Sequence, residues 1–220
     1  MKNNVIKLLV FDWDGTLADS AQAIVAAMQS AIREMSLEPR SDQEIRNIIG
    51  LGLLEAVHML FPDLNTSDLE KLANTYRNCY VLSNKGKTRL FPQTRETLEQ
   101  LKNKDYQMAI ATGKSRKGLD NSLKDTGIGD FFHFTRCADE TFSKPHPQML
   151  LDIMDNLVIA PESVLMIGDS EYDLQMATGA GVKSIAVCYG TQSKERLLEY
   201  NPEVCLDRIS DLVQWLSGYR

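Results

Sequence analysis

Two aspartates separated by one residue, Asp12 and Asp14, are the clearest sign of chemistry in this 220-residue chain. They follow a run of apolar residues, and Gly15 comes directly after them. Alternate residues of a strand face the same side, so both carboxylates are expected to point into one crevice at the strand's end. Two such groups repel each other unless a metal ion or a shared proton compensates. The pattern predicts metal-assisted chemistry, with one carboxylate as nucleophile and the other as acid or base. A helix cap explains Asp19 and Ser20 but explains Asp12 poorly.

Short apolar runs recur along the chain and read as strands. They lie near VIKLLVF, QMAIAT, HFTRCA, SVLMIGD and KSIAVCY, and helical patterns separate them. This alternation predicts an α/β fold, in which a parallel sheet carries helices on both faces. Parallel sheets bind ligands outside the carboxyl ends of their strands. Because Asp12, Thr112 and Asp169 each end one of these runs, we expect them to meet in space.

The interval between the first two runs lacks a convincing strand. It carries amphipathic segments instead, interrupted by glycine, proline and asparagine. Three apolar faces recur at helical spacing: Ile24, Met28, Ala31, Ile32 and Met35; Ile45, Ile48 and Ile49, then Leu53, Leu54 and Val57; and Leu69, Leu72, Tyr76 and Tyr80. We therefore expect a helical domain, residues 20–84, inserted into a core of residues 1–19 and 85–220. The return hinge is expected at residues 83–87.

The composition is that of a globular protein with an acidic balance. Its hydrophobic content of 43% and charged content of 25% are ordinary, and the net charge of -6 argues against a nucleic-acid groove or an anionic membrane surface. The four cysteines form no CxxC pair and are read as reduced thiols: Cys79, Cys137, Cys188 and Cys205. No signal-peptide pattern or membrane-spanning run is present. We expect a cytoplasmic protein, whose oligomeric state the sequence does not indicate.

The segment DWDGTLADS, residues 12–20, resembles the first motif of the haloacid dehalogenase (HAD) superfamily. Residues 111–114, Lys144 with Pro145, and residues 168–173 (GDSEYD) resemble its second, third and fourth motifs, in the family's order. The likeness covers essentially the whole chain. It implies a Rossmann-like parallel-sheet core with an inserted α-helical cap over the site. It also implies phosphoryl transfer from a small phosphorylated metabolite through an aspartyl-phosphate.

The resemblance assigns a role to each motif residue. Asp12 would attack phosphorus, and Asp14 would protonate the leaving oxygen and later activate the hydrolytic water. Thr112 and the Gly113 amide would bind the phosphoryl oxygens at the start of a helix. Lys144 would supply the fixed positive charge that offsets Asp12 and the phosphate.

A metal ion is expected because such a site would otherwise be too acidic. Asp12, Asp14, Asp169 and a phosphate dianion could not share one pocket uncompensated, and oxygen ligands that retain waters suit Mg²⁺. By resemblance, the ligands are the Asp12 and Asp169 carboxylates and the Asp14 backbone carbonyl, and Asp173 supports the metal's waters. The alternative for Asp169 and Asp173 is the cap and first turn of a helix that begins near Ser170.

Four functions are weighed against these residues. A small-molecule phosphatase is preferred, because the helical insertion and the L-x-D-S junction resemble phosphoglycolate phosphatase and its relatives. A hexose-phosphate mutase would share every catalytic residue and stays open as an alternative. A dehalogenase has no need for Asp14, since no leaving oxygen must be protonated. A non-catalytic binding protein would be expected to lose a nucleophile or a metal ligand, and none is lost.

Substrate specificity is expected to lie in the helical insertion. Arg46 is a candidate for binding a substrate carboxylate, because its guanidinium matches that group. The nearby turn of residues 50–52 contains two glycines. Either its backbone approaches another group closely, or it is simply a turn between helices.

Other charged and aromatic residues receive structural interpretations. The spacing of the histidines predicts no zinc site, although His146 neighbours Lys144. Trp13 is expected to point away from Asp12 and Asp14. Three basic residues at and just after the end of the second motif are expected to form a solvated helix face: Lys114, Arg116 and Lys117.

Overall fold

A parallel sheet forms the centre of the computed structural model, which describes residues 5–84 and 88–218. Its six strands within those ranges lie in the order β3-β2-β1-β4-β5-β6. They are β1 (Leu8–Phe11), β2 (Gln107–Thr112), β3 (Phe134–Cys137), β4 (Val164–Gly168), β5 (Lys183–Val187) and β6 (Cys205–Leu206). The predicted α/β fold is confirmed, and the five predicted runs are β1 to β5. β6 was not predicted, because two residues are too few to show alternation.

Helices cover both faces of the sheet, as the alternating pattern predicts. Outside residues 20–84, they are α5 (Thr94–Lys102), α6 (Arg116–Thr126), α7 (Gln148–Leu157), α8 (Glu171–Gly179), α9 (Lys194–Leu198) and α10 (Asp211–Gly218). Alternate residues of β1 serve opposite cores. Leu8 and Val10 join the core that α7 and α8 cover, whereas Leu9 and Phe11 join the one against α5, α6 and α10. Trp13 is fully buried in this second core.

Four helices occupy the segment that was predicted to lack strands. They are α1 (Ala21–Glu34), α2 (Asp42–Asn47), α3 (Leu53–Leu60) and α4 (Thr66–Asn84). They enclose a hydrophobic cluster of their own, although Leu54, predicted on an apolar face, is exposed. Tyr172 of α8 also packs into this cluster. The boundaries of the predicted helical domain stay a prediction, and residues 85–87 of the predicted hinge lie outside the described residues.

The structure can be compared with the predictions about membrane-spanning segments and about the cysteines. None of the helices in residues 5–84 and 88–218 is long and apolar enough to cross a membrane. The four cysteines are free, and Cys137 is buried.

Candidate active site

The acidic site lies at the carboxyl edge of the sheet. Asp12 follows β1 and Asp169 follows β4, and these two strands are hydrogen-bonded neighbours in register. Carboxylate oxygens of Asp12, Asp169 and Asp173 lie within 4.8 Å of one another. All three residues are at most 1% exposed. Three carboxylates at this separation and burial require positive charge nearby.

Lys144 supplies part of that charge. Its Nζ lies 2.5 Å from Asp12 Oδ1 and 2.6 Å from Asp173 Oδ1, and its side chain is fully buried. Burial opposes the charged ammonium, but the two carboxylates outweigh burial and raise the pKa of Lys144. Burial raises the pKa of Asp12 well above its usual range, although Lys144 acts in the opposite direction. The second oxygen of Asp12, Oδ2, is buried and has no hydrogen-bond partner among residues 5–84 and 88–218.

Asp169 is held by two threonines that the sequence interpretation did not include. Thr16 donates from its hydroxyl to Oδ1 at 3.1 Å. Thr191 donates its backbone N–H and its hydroxyl to Oδ2 at 2.7 and 2.6 Å. Burial, followed by the charge of Asp173, raises the pKa of Asp169 to about 6, while these hydrogen bonds act in the opposite direction. Thr16 lies within the first motif and could have been included among the predicted site residues, whereas no pattern in the sequence around Thr191 indicates a site residue.

Asp173 takes part both in a helix cap and in the acidic cluster. Ser170, the N-cap of α8, donates its backbone N–H and its hydroxyl to Asp173 Oδ2 at 3.2 and 2.7 Å. The other oxygen, Oδ1, pairs with Lys144. The two interpretations of Asp173 in the sequence are therefore compatible, because the two carboxylate oxygens have separate partners.

Asp14 has its own partners, and one of them corrects the sequence interpretation. Ser20 donates to its Oδ1 at 2.6 Å, and Lys114 Nζ lies 2.9 Å from both carboxylate oxygens. The Lys114 and Asp14 side chains are each 11% exposed. The prediction of a solvated helix face was therefore wrong for Lys114. The physical reason is that α6 begins only at Arg116, so Lys114 belongs to the loop that follows β2.

The other two members of the predicted basic face lie on α6 itself. Arg116 is partly buried and pairs with Glu140 at 2.9 Å, so it too differs from the prediction. Lys117 is exposed, as predicted.

The turn of residues 50–52 lies directly against the loop that follows β2. A Cβ atom on Gly113 would lie 2.3 Å from the backbone oxygen of Leu51 and 2.6 Å from that of Gly50, so a larger residue would not fit there. Gly50 adopts a φ of 107°, which favours glycine. The Gly52 N–H donates to Ser143 Oγ at 2.6 Å. The close approach considered from the sequence is therefore present, and Gly52 is also the N-cap of α3.

The predicted reacting residues are shielded from solvent in this structure. Thr112 and Asp12 are essentially inaccessible, and Thr112 Oγ1 already accepts a hydrogen bond from the Lys114 N–H at 3.2 Å.

Two other candidates lie apart from the acidic cluster. Arg46 donates to Gln22 at 2.9 Å, and within residues 5–84 and 88–218 it makes no hydrogen bond or ion pair with a predicted site residue. His146 is exposed, and its ring packs on Phe142 with 4.6 Å between centroids. The role of Arg46 in substrate binding stays a prediction.

The fold and the site together define an α/β enzyme with an acidic, lysine-balanced centre at the edge of a parallel sheet. A family model described as haloacid dehalogenase-like hydrolase matches residues 9–187. The chain belongs to this family. The predicted family, and the prediction of a hydrolase, are therefore confirmed.

Individual relatives agree with this assignment. The chain is 30% identical over 213 residues to a phosphoglycolate phosphatase from Pectobacterium atrosepticum, covering 94% of this chain and 91% of that protein. It is 28% identical over 209 residues to pyrophosphatase PpaX from Oceanobacillus iheyensis, with 94% and 95% covered. The structure of a haloacid dehalogenase-like hydrolase from Bacteroides fragilis superimposes with a TM-score of 0.88 at 29% identity, covering 94% of this chain and 99% of that chain.

Proposed function

We propose that this protein is a Mg²⁺-dependent phosphatase that hydrolyses a small phosphomonoester through an aspartyl-phosphate on Asp12. One observation carries the proposal: the unpartnered oxygen of Asp12 lies in a buried cluster with Asp169, Asp173 and Lys144. An oxygen left without a partner in a buried site is costly unless a ligand or a reaction uses it.

The donor set fits a hard divalent cation. Three carboxylates within 4.8 Å offer the oxygen ligands that Mg²⁺ prefers. The Asp12 and Asp169 carboxylates and the Asp14 backbone carbonyl would hold the cation, and Asp173 would support its waters. When bound, the cation offsets the negative charge of the phosphoryl group and polarises its oxygens.

The first chemical step transfers the phosphoryl group to the protein. A carboxylate oxygen of Asp12 forms a bond to phosphorus while the bond from phosphorus to the leaving oxygen breaks. Asp14 gives a proton to that oxygen, so the product leaves as an alcohol. Thr112, the Gly113 amide and Lys144 stabilise the charge on the transferring group.

The second step restores the enzyme. Asp14 takes a proton from a water molecule, the water oxygen attacks phosphorus, and the bond between phosphorus and Asp12 breaks. Inorganic phosphate is released, and both aspartates return to their starting states.

The names of the relatives narrow the expected substrate. One is named for phosphoglycolate and another for pyrophosphate. In both compounds the group that leaves phosphorus is small and carries a negative charge of its own. We therefore propose a small phosphate compound with an anionic leaving group, such as phosphoglycolate, as the substrate class.

The test is an assay of released phosphate from a panel of phosphomonoesters, with Mg²⁺ and with a chelator. Turnover should require the metal. Asp12→Asn should abolish turnover without unfolding the protein, because the change is nearly isosteric, whereas Asp63→Asn on the exposed surface should leave turnover unchanged. Full activity after exhaustive chelation, or turnover by Asp12→Asn, would contradict the proposal. Isomerisation of a hexose phosphate without net phosphate release would favour the mutase.

A further inference from the structure

Lys114 is a largely buried cation that has no part in the chemical steps proposed above. Its Nζ lies 2.9 Å from both oxygens of Asp14 and 5.1 Å from the centre of the Tyr80 ring on α4. The backbone of Lys114 is fixed on the core at both ends, since its N–H donates to Thr112 Oγ1 and its carbonyl accepts from Ala138. A lysine held in this way places its charge at a defined point.

That point lies on one particular side of the reacting phosphorus. In an in-line displacement the leaving oxygen lies opposite the attacking Asp12 oxygen. Asp14 must reach this leaving oxygen in order to protonate it. Because Lys114 contacts both carboxylate oxygens of Asp14, its ammonium group would lie beside the leaving group in this arrangement.

The two lysines of the site, Lys144 and Lys114, contact different numbers of carboxylates. Lys144 contacts two carboxylates, Asp12 and Asp173. Lys114 contacts one, Asp14. An ammonium group has three N–H donors; Lys114 directs them to the two Asp14 oxygens and to the side chain of Tyr80, a neutral partner. Its positive charge can therefore be shared with a second anion.

The surroundings of Lys114 favour a small anion on that side. Tyr76 and Tyr80 of α4 lie with ring centroids 5.9 Å apart and pack against a buried apolar group formed by Ala21, Ile24 and Ile49. A charge interaction is strong in such a poorly solvated place. Arg46, the other candidate for this task, is instead bonded to Gln22 on the exposed start of α1.

We infer that Lys114 binds the anionic substituent of the leaving group, and so selects phosphate compounds whose leaving group carries its own negative charge. This inference rests on the proposed phosphatase function and names the residue that chooses among its substrates. Lys114 is thus a specificity residue, in addition to its contact with Asp14.

The experiment compares two substrates of nearly equal size. Phosphoglycolate has a carboxylate where 2-hydroxyethyl phosphate has a neutral hydroxymethyl group. The value of kcat/KM is measured for both, with Mg²⁺, in the wild type and in Lys114→Met, Lys114→Gln, Lys114→Arg and Arg46→Ala. Lys117→Met, an exposed lysine of the neighbouring helix α6, is the matched control. Thermal unfolding of each variant checks that it folds.

A selective loss supports the inference. Lys114→Met and Lys114→Gln should lower kcat/KM for phosphoglycolate roughly 10- to 100-fold more than for 2-hydroxyethyl phosphate, as expected for a lost charged hydrogen bond. Lys114→Arg should retain part of the preference, and Lys117→Met should change neither substrate. If Lys114→Met does not fold, Lys114→Gln is the deciding variant, because it keeps a donor for Asp14.

Other outcomes overturn the inference. Equal losses for both substrates would mean that Lys114 only positions Asp14, and a larger selective loss in Arg46→Ala would assign the anion to Arg46. A wild type without preference between the substrates would also contradict it. A wild type that hydrolyses neither of these compounds nor any other phosphomonoester would instead refute the proposed function, which the inference needs.

Discussion

Replacing Lys144 by methionine should destabilise the protein by an amount that the structure allows us to estimate. Methionine is similar in length and volume, so little of the effect should come from a cavity. The substitution removes an ammonium group that lies 2.5 Å from Asp12 and 2.6 Å from Asp173 in a fully buried position. Breaking a buried ion pair by removing one partner costs about 3–5 kcal/mol. Because the pKa of Asp12 is already raised by burial, that carboxyl can take up a proton, and we expect the lower end of this range.

The assay is urea unfolding in a chelating buffer at neutral pH, followed by circular dichroism. The free energy of unfolding in water is obtained by linear extrapolation. Adding Asp12→Asn to Lys144→Met should recover part of the loss, because a neutral amide at this position needs neither a counter-charge nor the uptake of a proton. Lys117→Met, on the surface, should stay within about 0.5 kcal/mol of the wild type. A loss in Lys144→Met below about 1 kcal/mol, the value typical of an exposed ion pair, would refute the reasoning, as would a double variant less stable than either single one.

Three further results are expected from the site. Asp14→Asn should slow both chemical steps. An activated aryl phosphate needs little protonation of its leaving group, so with this substrate the phosphoenzyme should accumulate on Asp12. Steady hydrolysis without any trapped acyl-phosphate would indicate direct attack by water. Gly113→Ala should lower kcat/KM by roughly 10- to 100-fold and also lower the free energy of unfolding, because its Cβ would lie 2.3 Å from the Leu51 backbone oxygen and the backbone would have to shift. Unchanged kinetics and stability would contradict this contact. In metal-free buffer, the folded protein binds the Asp169 proton more tightly than the unfolded chain, because burial raises the pKa of Asp169 to about 6. The free energy of unfolding of the wild type should therefore fall, relative to that of Asp169→Asn, as the pH rises through this value. A difference between the two proteins that does not change with pH would contradict the raised pKa of Asp169.

Much of the architecture could be predicted because the signals for it are local. A buried parallel strand is a short apolar run, and five of the six described strands showed one. The rule that such sheets bind ligands at their carboxyl edge then placed Asp12 and Asp169 together, and the structure brings their carboxylates within 4.8 Å. The helical character of the segment before β2 was also visible, since amphipathic spacing is a property of neighbouring residues.

The contacts that hold the site could not be predicted, since each joins residues far apart in the chain. Asp169 receives two hydrogen bonds from Thr191, 22 positions later. The turn at Leu51 meets Gly113 because α3 and the loop after β2 are brought together in three dimensions. The residue periodicity of either segment does not indicate which distant segment it contacts.

Lys114 shows the difference most directly. By its sequence neighbours it belongs to a basic cluster at the start of a helix, and a charge in that setting is usually solvated. Its environment is instead set by Asp14, 100 positions earlier, and by Tyr80 of α4. The sequence by itself determined which residue types stand at the ends of the strands, because strand periodicity is short-ranged. Only the tertiary structure decided which charges are buried together, because burial and pairing depend on the distant chain segments that exclude water from them.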